Sequence, residues 1–288
     1  MELFDQNPYL LYGLTLVLGL LVGSFLNVVI YRLPKILEHH WHSECAEYLN
    51  VDQTAEREPP PGIVTPGSRC RQCGHPIRPW ENIPIISWLF LRGRCSHCGT
   101  PIGLRYPLVE LSSGLLAVAV VWQFGLTPQA GAALLLTWAL LTLSLIDYDT
   151  QLLPDAITLP LLWLGLLLSV YAPFTDPTSA IVGAAAGYLS LWSVYQLFKL
   201  LTGKEGMGYG DFKLLAMLGA WLGWQHLPQI IILSALVGAI VGIALILTAG
   251  RDRNVPIPFG PYLAAAGWIS LMWGDTINRA YLLWVAMH

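Results

Sequence analysis

One octapeptide organises this sequence: Gly206-Met207-Gly208-Tyr209-Gly210-Asp211-Phe212-Lys213. It lies between two apolar runs at residues 181–201 and 214–224. Its three alternate glycines lead into an acid, and glycine lets the backbone approach other groups closely because it has no Cβ. An ionisable group where an apolar helix begins is costly, so it indicates a functional site. A polar turn between two membrane helices, with Asp211 as the helix N-cap, remains the alternative for this stretch alone.

The composition is that of an integral membrane protein. Of the 288 residues, 55% are hydrophobic and only 11% are charged, whereas soluble domains carry about 25% charged residues. The first apolar run, residues 10–30, is too long for the apolar core of a signal peptide. We therefore expect it to be retained as a membrane anchor.

Eight apolar runs predict an all-α polytopic membrane protein with about eight transmembrane helices. They cover residues 10–30, 108–124, 130–146, 157–171, 181–201, 212–224, 230–248 and 262–285. Two of them, 157–171 and 212–224, are short for a hydrocarbon core of about 30 Å. Either the bilayer thins at these helices or they begin inside a recess lined by protein.

Basic residues predict the orientation of the chain. Nine of the fifteen Lys and Arg residues lie between Arg32 and Arg105. If that segment is cytoplasmic, alternation of eight spans places every other basic residue except Arg279 on the same side. Because cytoplasmic loops are enriched in Lys and Arg, we expect a periplasmic N-terminus. We divide the chain into a first transmembrane helix (1–31), a cytoplasmic four-cysteine zinc subdomain (32–107) and a seven-helix membrane domain (108–288).

Two Cys-x-x-Cys pairs mark the cytoplasmic subdomain. They are Cys70 with Cys73 and Cys95 with Cys98, and a glycine follows each pair. Four thiolates in this spacing suit a tetrahedral Zn²⁺ in a small zinc-ribbon-like fold. Two disulfides or four free thiols are the alternatives, and a reducing compartment argues against disulfides. The site has no open position, so we expect the zinc to be structural.

A second acidic cluster, Asp147-Tyr148-Asp149, ends another apolar run. Asp147 and Asp149 are two residues apart, so on a helix they do not share a face, and Asp147 should lie deeper. Two carboxylates in close contact share one proton. The ionised member can then activate water while the protonated member polarises a carbonyl. The pair Asp147 and Asp211 therefore predicts an aspartyl protease that needs neither a metal nor a nucleophilic serine.

Two further acids have simpler interpretations. Asp155 follows Pro154 at the start of an apolar run, which favours a role as helix N-cap. Glu110 lies one turn into its span, where pairing with a nearby arginine such as Arg105 would account for it.

Two other classes of function remain open. A proton- or ion-coupled transporter would also use intramembrane acids. Against it, the acids cluster at one membrane face, and no repeat relates the two halves. A zinc-bearing scaffold of a membrane complex would leave the glycine-aspartate octapeptide unexplained. We expect no nucleic-acid partner.

The chain resembles the bacterial type IV prepilin peptidases, the Gly-x-Gly-Asp aspartyl proteases of the inner membrane. The resemblance runs nearly from end to end. It rests on the two Cys pairs, on Asp147 with the Leu-Pro-Asp that ends at residue 155, and on the stretches 23–28, 78–84, 105–110 and 208–213.

The resemblance implies two activities. One is removal of the basic leader from prepilins and from pseudopilins of type II secretion, after a glycine at the cytoplasmic face. The other is methylation of the new N-terminal amine from S-adenosylmethionine, for which the sequence shows no recognisable binding site. It also implies that Asp147 and Asp211 are catalytic, with Gly208, Gly210 and Lys213 in an active-site loop. Asp147 matches because the family's first acid stands seven residues before the proline that is Pro154 here.

The predicted orientation can be tested by cysteine labelling in intact cells. A membrane-impermeant thiol reagent should leave Cys98 unlabelled, because that residue is expected to face the cytoplasm. A Thr178→Cys variant, in a segment expected outside, should be labelled in the same cells. Labelling of Cys98 from outside would contradict the orientation.

Overall fold

The computed structural model describes residues 7–50, 59–249 and 257–286. Within these ranges the chain is helical, with two short 3₁₀ turns and two isolated β-bridges but no strand. The predicted all-α class is therefore confirmed. Three of the residues used to predict the orientation lie outside the described ranges, namely Arg57, Arg251 and Arg253.

The described residues form nine α-helices in chain order. They are α1 (Pro8–Tyr48), α2 (Ile86–Phe90), α3 (Arg105–Phe124), α4 (Pro128–Thr150), α5 (Asp155–Ser169), α6 (Pro177–Thr202), α7 (Tyr209–Leu222), α8 (Leu227–Ala249) and α9 (Gly260–Ala286). Five of them, α1, α3, α4, α6 and α8, are long and apolar enough to cross a membrane. The chain is thus a multi-pass membrane protein, and the count of eight spans stays a prediction.

The helices and loops divide into two compact units, residues 1–130 and 131–288. In the first unit, α1 is a single helix of 41 residues, about 60 Å at 1.5 Å per residue. The apolar run at residues 10–30 predicted a membrane helix that ends near residue 30, with residues 32–107 in the cytoplasmic subdomain. That predicted end is wrong, because α1 continues through Pro34 into the polar stretch as far as Tyr48. The boundaries of the three predicted domains stay a prediction.

Small residues bring α1 and α3 together in the first unit. A Cβ added at Gly19 would lie 2.7 Å from Gly114 Cα, and one at Gly23 would lie 2.7 Å from Glu110 Cα. The Ser113 hydroxyl donates to the Gly19 carbonyl at 2.6 Å. Small residues allow such close backbone approach between membrane helices, where packing supplies much of the association energy.

The centre of the second unit is α7. From Asp211 to Leu222 every residue except Lys213 is buried. Gly219 of α7 meets Gly183 of α6 backbone to backbone, and a Cβ on Gly187 would lie 2.6 Å from the Leu215 carbonyl oxygen. The packing leaves no room for side chains at these glycines.

The two helices predicted to be short are short. α7 has 14 residues and α5 has 15, or about 21 and 22 Å. On α7, Trp221 donates from its indole nitrogen to the Leu161 carbonyl of α5 at 2.8 Å. Because α7 is enclosed by other helices, the structure favours a recess within the protein over a thinned bilayer around this helix.

The close approach of α6 and α7 should make Gly219 intolerant of a side chain. Gly219→Val inserts a branched side chain against the Gly183 backbone, and overpacking typically costs about 1–3 kcal/mol. We expect the purified variant to unfold at a lower temperature in detergent micelles. The control is Gly131→Val in the same unit, where an added Cβ meets nothing within 4 Å. Equal unfolding temperatures for the two variants would contradict the packing described.

Candidate active site and metal centre

Asp147 lies in the last turn of α4, and its side chain is 5% exposed. The backbone amide of Gly260 donates to its Oδ2 at 2.9 Å. Gly260 is the first residue of α9, and free amides at a helix N-terminus favour a negative charge. A Cβ on Gly260 would lie 2.7 Å from the same oxygen. Only glycine therefore lets the helix end approach this carboxylate.

Asp211 is the third residue of α7 and is 7% exposed. Gly208 is the N-cap of this helix, and its backbone amide interacts with the Asp211 carboxylate. A Cβ on Gly208 would lie 3.9 Å from Oδ2. An acid in the first turn lies among amides that have no partner within the helix. Asp211 is thus held by the start of its own helix, as Asp147 is held by the start of α9.

The two carboxylates are close enough for Asp147 to act electrostatically on Asp211. Leu153 packs against both helix starts beside them. A Cβ on Gly210 would lie 2.7 Å from Leu153 Cβ, and one on Gly260 would lie 3.2 Å from Leu153 Cδ2. The structure therefore brings together the two acids that the sequence analysis paired. Such a pair of buried acids can share a proton and activate water.

Burial separates the two acids of the first cluster. Asp149 is exposed at the C-terminal end of α4, whereas Asp147 is buried one half-turn earlier. This is the difference in depth that the sequence analysis expected.

Lys213 reaches the start of α5 rather than the acid pair. Its Nζ lies 2.8 and 2.7 Å from the two carboxylate oxygens of Asp155. The interpretation of Asp155 as an N-cap is wrong, because Pro154 is the N-cap and Asp155 is the first helical residue. A partly exposed ion pair stabilises a protein by about 1 kcal/mol or less. Its effect here is to fix the start of α5 against the start of α7.

The three residues predicted to lie in an active-site loop do not share one. The loop ends at Gly208, and Gly210 and Lys213 are already in α7. Gly210 is accepted in the first turn of the helix because Leu153 fills the space that a side chain would need.

An aromatic cluster that the sequence analysis missed supports the same helix start. The Tyr195 ring of α6 lies 5.4 Å from the Tyr209 ring and 5.6 Å from the Phe212 ring. One turn further on, Lys199 donates to Glu205 at 2.8 Å, and this bond holds the pKa of Glu205 below its usual value. Tyr195 and Lys199 are four residues apart, so on a helix they share one face. The sequence does not show that this face of α6 lies against the start of α7.

The four predicted cysteines converge in the first unit. Their sulfur atoms all lie within 4.8 Å of one another, and Cys70 Sγ is 3.7 Å from Cys98 Sγ. All four are free thiols, and the separation of Cys70 and Cys98 is far longer than the S–S bond of about 2.05 Å in a disulfide. It is close to the separation of about 3.8 Å expected for thiolates placed tetrahedrally around a metal at about 2.3 Å. This cluster could hold a metal ion.

Both Cys pairs adopt the same turn. The Gly74 amide donates to the Cys70 carbonyl at 3.0 Å, and the Gly99 amide donates to the Cys95 carbonyl at 3.0 Å. Gly74 and Gly99 have φ values of 70° and 71°, in the left-handed region that favours glycine. The local sequence therefore builds two equal halves of one four-thiol site.

Charged and aromatic groups surround the cysteine cluster. The His75 and His97 rings stack with centroids 5.0 Å apart. The Arg78 amide donates to Glu81 Oε2 at 2.9 Å, which lowers the pKa of Glu81. The stacked rings join the two Cys pairs, and the bond to Glu81 stabilises the turn that leads to α2.

Two family models match the chain, one in each half. The bacterial Peptidase A24 N-terminal domain matches residues 17–124, and the type IV leader peptidase family matches residues 134–243. The first contains the cysteine cluster, and the second contains Asp147 and Asp211.

Curated relatives match over nearly the whole chain. A prepilin leader peptidase/N-methyltransferase of Pseudomonas aeruginosa is 57% identical over 98% of this chain and 97% of its own length. A protein of the same name from Aeromonas hydrophila is 57% identical over the same shares. One from Xanthomonas campestris is 50% identical over the full length of both chains. No solved structure matches the chain significantly.

Proposed function

Because this chain belongs to the type IV leader peptidase family, we propose that Asp147 and Asp211 carry out its peptidase reaction. The chain is an aspartic endopeptidase that removes the leader from prepilins, and it is also an N-methyltransferase. The observation that carries the assignment is the meeting of two buried carboxylates at helix ends of one unit. The alternative of an ion-coupled transporter is not supported.

The two acids divide the hydrolysis between them. The ionised carboxylate takes a proton from a water molecule as that water attacks the scissile carbonyl carbon. The protonated carboxyl donates to the carbonyl oxygen, and the resulting tetrahedral intermediate collapses when the leaving amine receives a proton. The Gly260 amide occupies one oxygen of Asp147. It thereby holds the carboxylate in one orientation and leaves its other oxygen for this chemistry.

The substrates and the site of cleavage follow from the resemblance and the charge pattern. The substrates are type IV prepilins and type II secretion pseudopilins, cut after a glycine at the cytoplasmic face of the bacterial inner membrane. The concentration of basic residues between Arg32 and Arg105 supports a cytoplasmic Cys subdomain and active site, with the N-terminus in the periplasm. A substrate helix would enter from lipid, and its scissile bond would meet an acid pair recessed among helices.

The methyl donor of the second activity is S-adenosylmethionine. Its sulfonium supplies an activated methyl group that an unprotonated amine can accept. The acceptor is the N-terminal amine that leader cleavage exposes.

The metal of the four-thiol cluster is a structural Zn²⁺. Cys70, Cys73, Cys95 and Cys98 supply four sulfur ligands, which fills a tetrahedral site and leaves no position for substrate. Binding of the ion would contribute to the folding free energy of the segment between the two Cys pairs.

Asparagine substitutions distinguish the acids. Asn has nearly the shape of Asp but cannot exchange the catalytic proton, so Asp147→Asn and Asp211→Asn should each reduce leader cleavage about 10³-fold or more. Asp149→Asn is the matched control and should keep most of the activity. The measurement is cleavage of a purified prepilin at equal amounts of membrane enzyme. Normal cleavage by Asp147→Asn, with none by Asp149→Asn, would refute the assignment.

Metal analysis tests the zinc site. Purified protein should contain about one zinc per chain, and Cys98→Ser should lose it and become more sensitive to protease between residues 59 and 104. Cys45→Ser is the control, because Cys45 is an exposed free thiol apart from the cluster. Zinc-free wild-type protein that contains two disulfides would contradict this assignment.

A further inference from the structure

A cavity of about 290 Å³ lies in the first unit, beside α1. One wall is formed by α1 residues Leu21, Ser24, Phe25 and Val28, and the facing wall by the loop of residues 63–68. Asn82 and Arg32 complete it. The cavity is thus mostly apolar, with a few polar groups, as small-molecule and peptide sites commonly are.

Behind one wall of the cavity lies a buried acid. Glu110 of α3 is 8% exposed, and it accepts a hydrogen bond from the Ile85 amide at 2.8 Å. The hydroxyl of Ser24 is close enough to interact with the same carboxylate. Ser24 lines the cavity, and a hydroxyl that donates to a carboxylate can still accept a hydrogen bond with its lone pairs. Ser24 therefore connects the interior of the cavity to the carboxylate.

A structural role alone does not explain why residue 110 is an acid. Ile85 has a φ of 60°, a strained conformation for a β-branched residue, and the bond to Glu110 stabilises it. A carboxamide oxygen would accept from Ile85 and Ser24 equally well, without the cost of an acid within a membrane helix. The described partners of Glu110 are Ile85 and Ser24, and the pairing with Arg105 stays a prediction.

Residues from three of the stretches that carry the family resemblance lie at or next to the cavity, and the proposed cleavage mechanism assigns no role to them. Ser24, Phe25 and Val28 come from the stretch 23–28, Asn82 from 78–84, and Glu110 from 105–110. These are three of the stretches that carry the family resemblance. They belong to the unit that does not contain Asp147 or Asp211.

We propose that this cavity receives the N-terminal residue exposed by leader cleavage, and that Ser24 and Glu110 accept the proton of its α-ammonium group. The proposal rests on the N-methyltransferase activity described above. The ammonium gives a proton to Ser24, which passes its own proton to Glu110, so that a neutral amine and a neutral carboxyl result. The amine lone pair then forms a bond to the methyl carbon of the sulfonium donor. The S–C bond breaks, and its electron pair stays on sulfur as a thioether.

The chemistry of the walls favours the acceptor over the donor as the occupant. The α1 wall belongs to a membrane-spanning helix and presents apolar side chains, which suits the first residue of a membrane helix better than a water-soluble nucleoside. The cationic side chain of the wall, Arg32, donates to the carbonyls of Gly62 at 2.6 Å and Pro66 at 2.8 Å. These bonds tie the guanidinium of Arg32 to the loop wall, and the Glu110 carboxylate next to Ser24 is the group that can take a proton from the ammonium.

Glu110→Gln tests the role of the acid. With pilin already cleaved and S-adenosylmethionine supplied, methylation at pH 6 should fall about 10²-fold or more. An α-amine has a pKa of about 7.7–8.0, so raising the pH to 9 should restore the variant as the free amine forms in solution. We expect the ratio of wild-type to variant rates to shrink by about tenfold or more over this range. Leader cleavage by the variant should be unchanged.

Two results would overturn the role of Glu110. One is equal methylation by wild type and Glu110→Gln at pH 6. The other is a rate ratio that stays constant with pH, since that would mean Glu110 only supports the Ile85 turn. Wild-type enzyme that cleaves but never methylates would refute the second activity itself, which is a separate result.

Val28→Trp tests the occupant, because the indole would fill the cavity. The KM for cleaved pilin should rise about tenfold, since the removed apolar contacts are worth about 1–2 kcal/mol, while the KM for S-adenosylmethionine stays unchanged. The control is Val17→Trp on the same helix, at a residue that is 54% exposed and does not line the cavity. A raised KM for the donor alone would assign the cavity to the donor and overturn the proposal.

A binding measurement without turnover completes the test. With the photoreactive residue p-benzoylphenylalanine in place of Phe25, illumination should crosslink the enzyme to cleaved pilin in the absence of donor. The same residue in place of Val17 should give much less product. Equal crosslinking at the two positions would contradict a pilin site in the cavity.

Discussion

Backbone amides at the starts of α7 and α9 hold the two buried acids, and the second unit is built to keep these helix ends in place. Gly208 interacts with Asp211, and Gly260 donates to Asp147. Unpaired carboxylates among membrane helices would be very costly. The backbone amides at the helix ends supply the interactions that water would supply to an exposed carboxylate. Leu153 packs against the starts of both helices. The glycines of α6 allow the α6 backbone to lie directly against α7. Glycine recurs in these contacts because the structure needs close backbone approach at each of them.

Much of this architecture was predictable because it depends on local pattern. Apolar runs predicted the helices, including the shortness of α5 and α7, and the spacing of Cys70, Cys73, Cys95 and Cys98 predicted their cluster. Asp147 and Asp211 were singled out because acids are rare in such runs. Their assignment as catalytic residues stays a proposal, which the burial of both side chains supports.

What the sequence could not predict depends on contacts between distant segments. Nothing in the local sequence marks Gly260, and its role exists only because α9 begins beside Asp147. Asp155 was predicted to be the N-cap because it precedes an apolar run. Pro154 is the N-cap instead, and the Asp155 carboxylate binds Lys213. The length of α1 was underestimated because hydrophobicity ends near residue 30, while the helix continues through Pro34 to Tyr48. Hydropathy measures where a helix meets lipid and does not measure where it ends.

Under the two proposals above, cleavage and methyl transfer would take place in different units of the chain. Hydrolysis needs water at the scissile bond, whereas methyl transfer needs an amine that has lost its proton and is kept from competing water. A largely apolar cavity with a buried acid next to it would meet the second requirement. Neither reaction would then have to take place in an environment suited to the other.

The enclosure of α7 has a consequence for the membrane around the enzyme. A helix exposed to lipid must match the hydrocarbon thickness or deform the bilayer, at a cost that grows with each ångström of mismatch. From Asp211 to Leu222, α7 meets other helices on nearly every side, so its length of about 21 Å is not set by the lipid. The depth of Asp211 is accordingly defined by the protein interior. The helix that carries this acid is insulated from changes in lipid chain length as membrane composition varies.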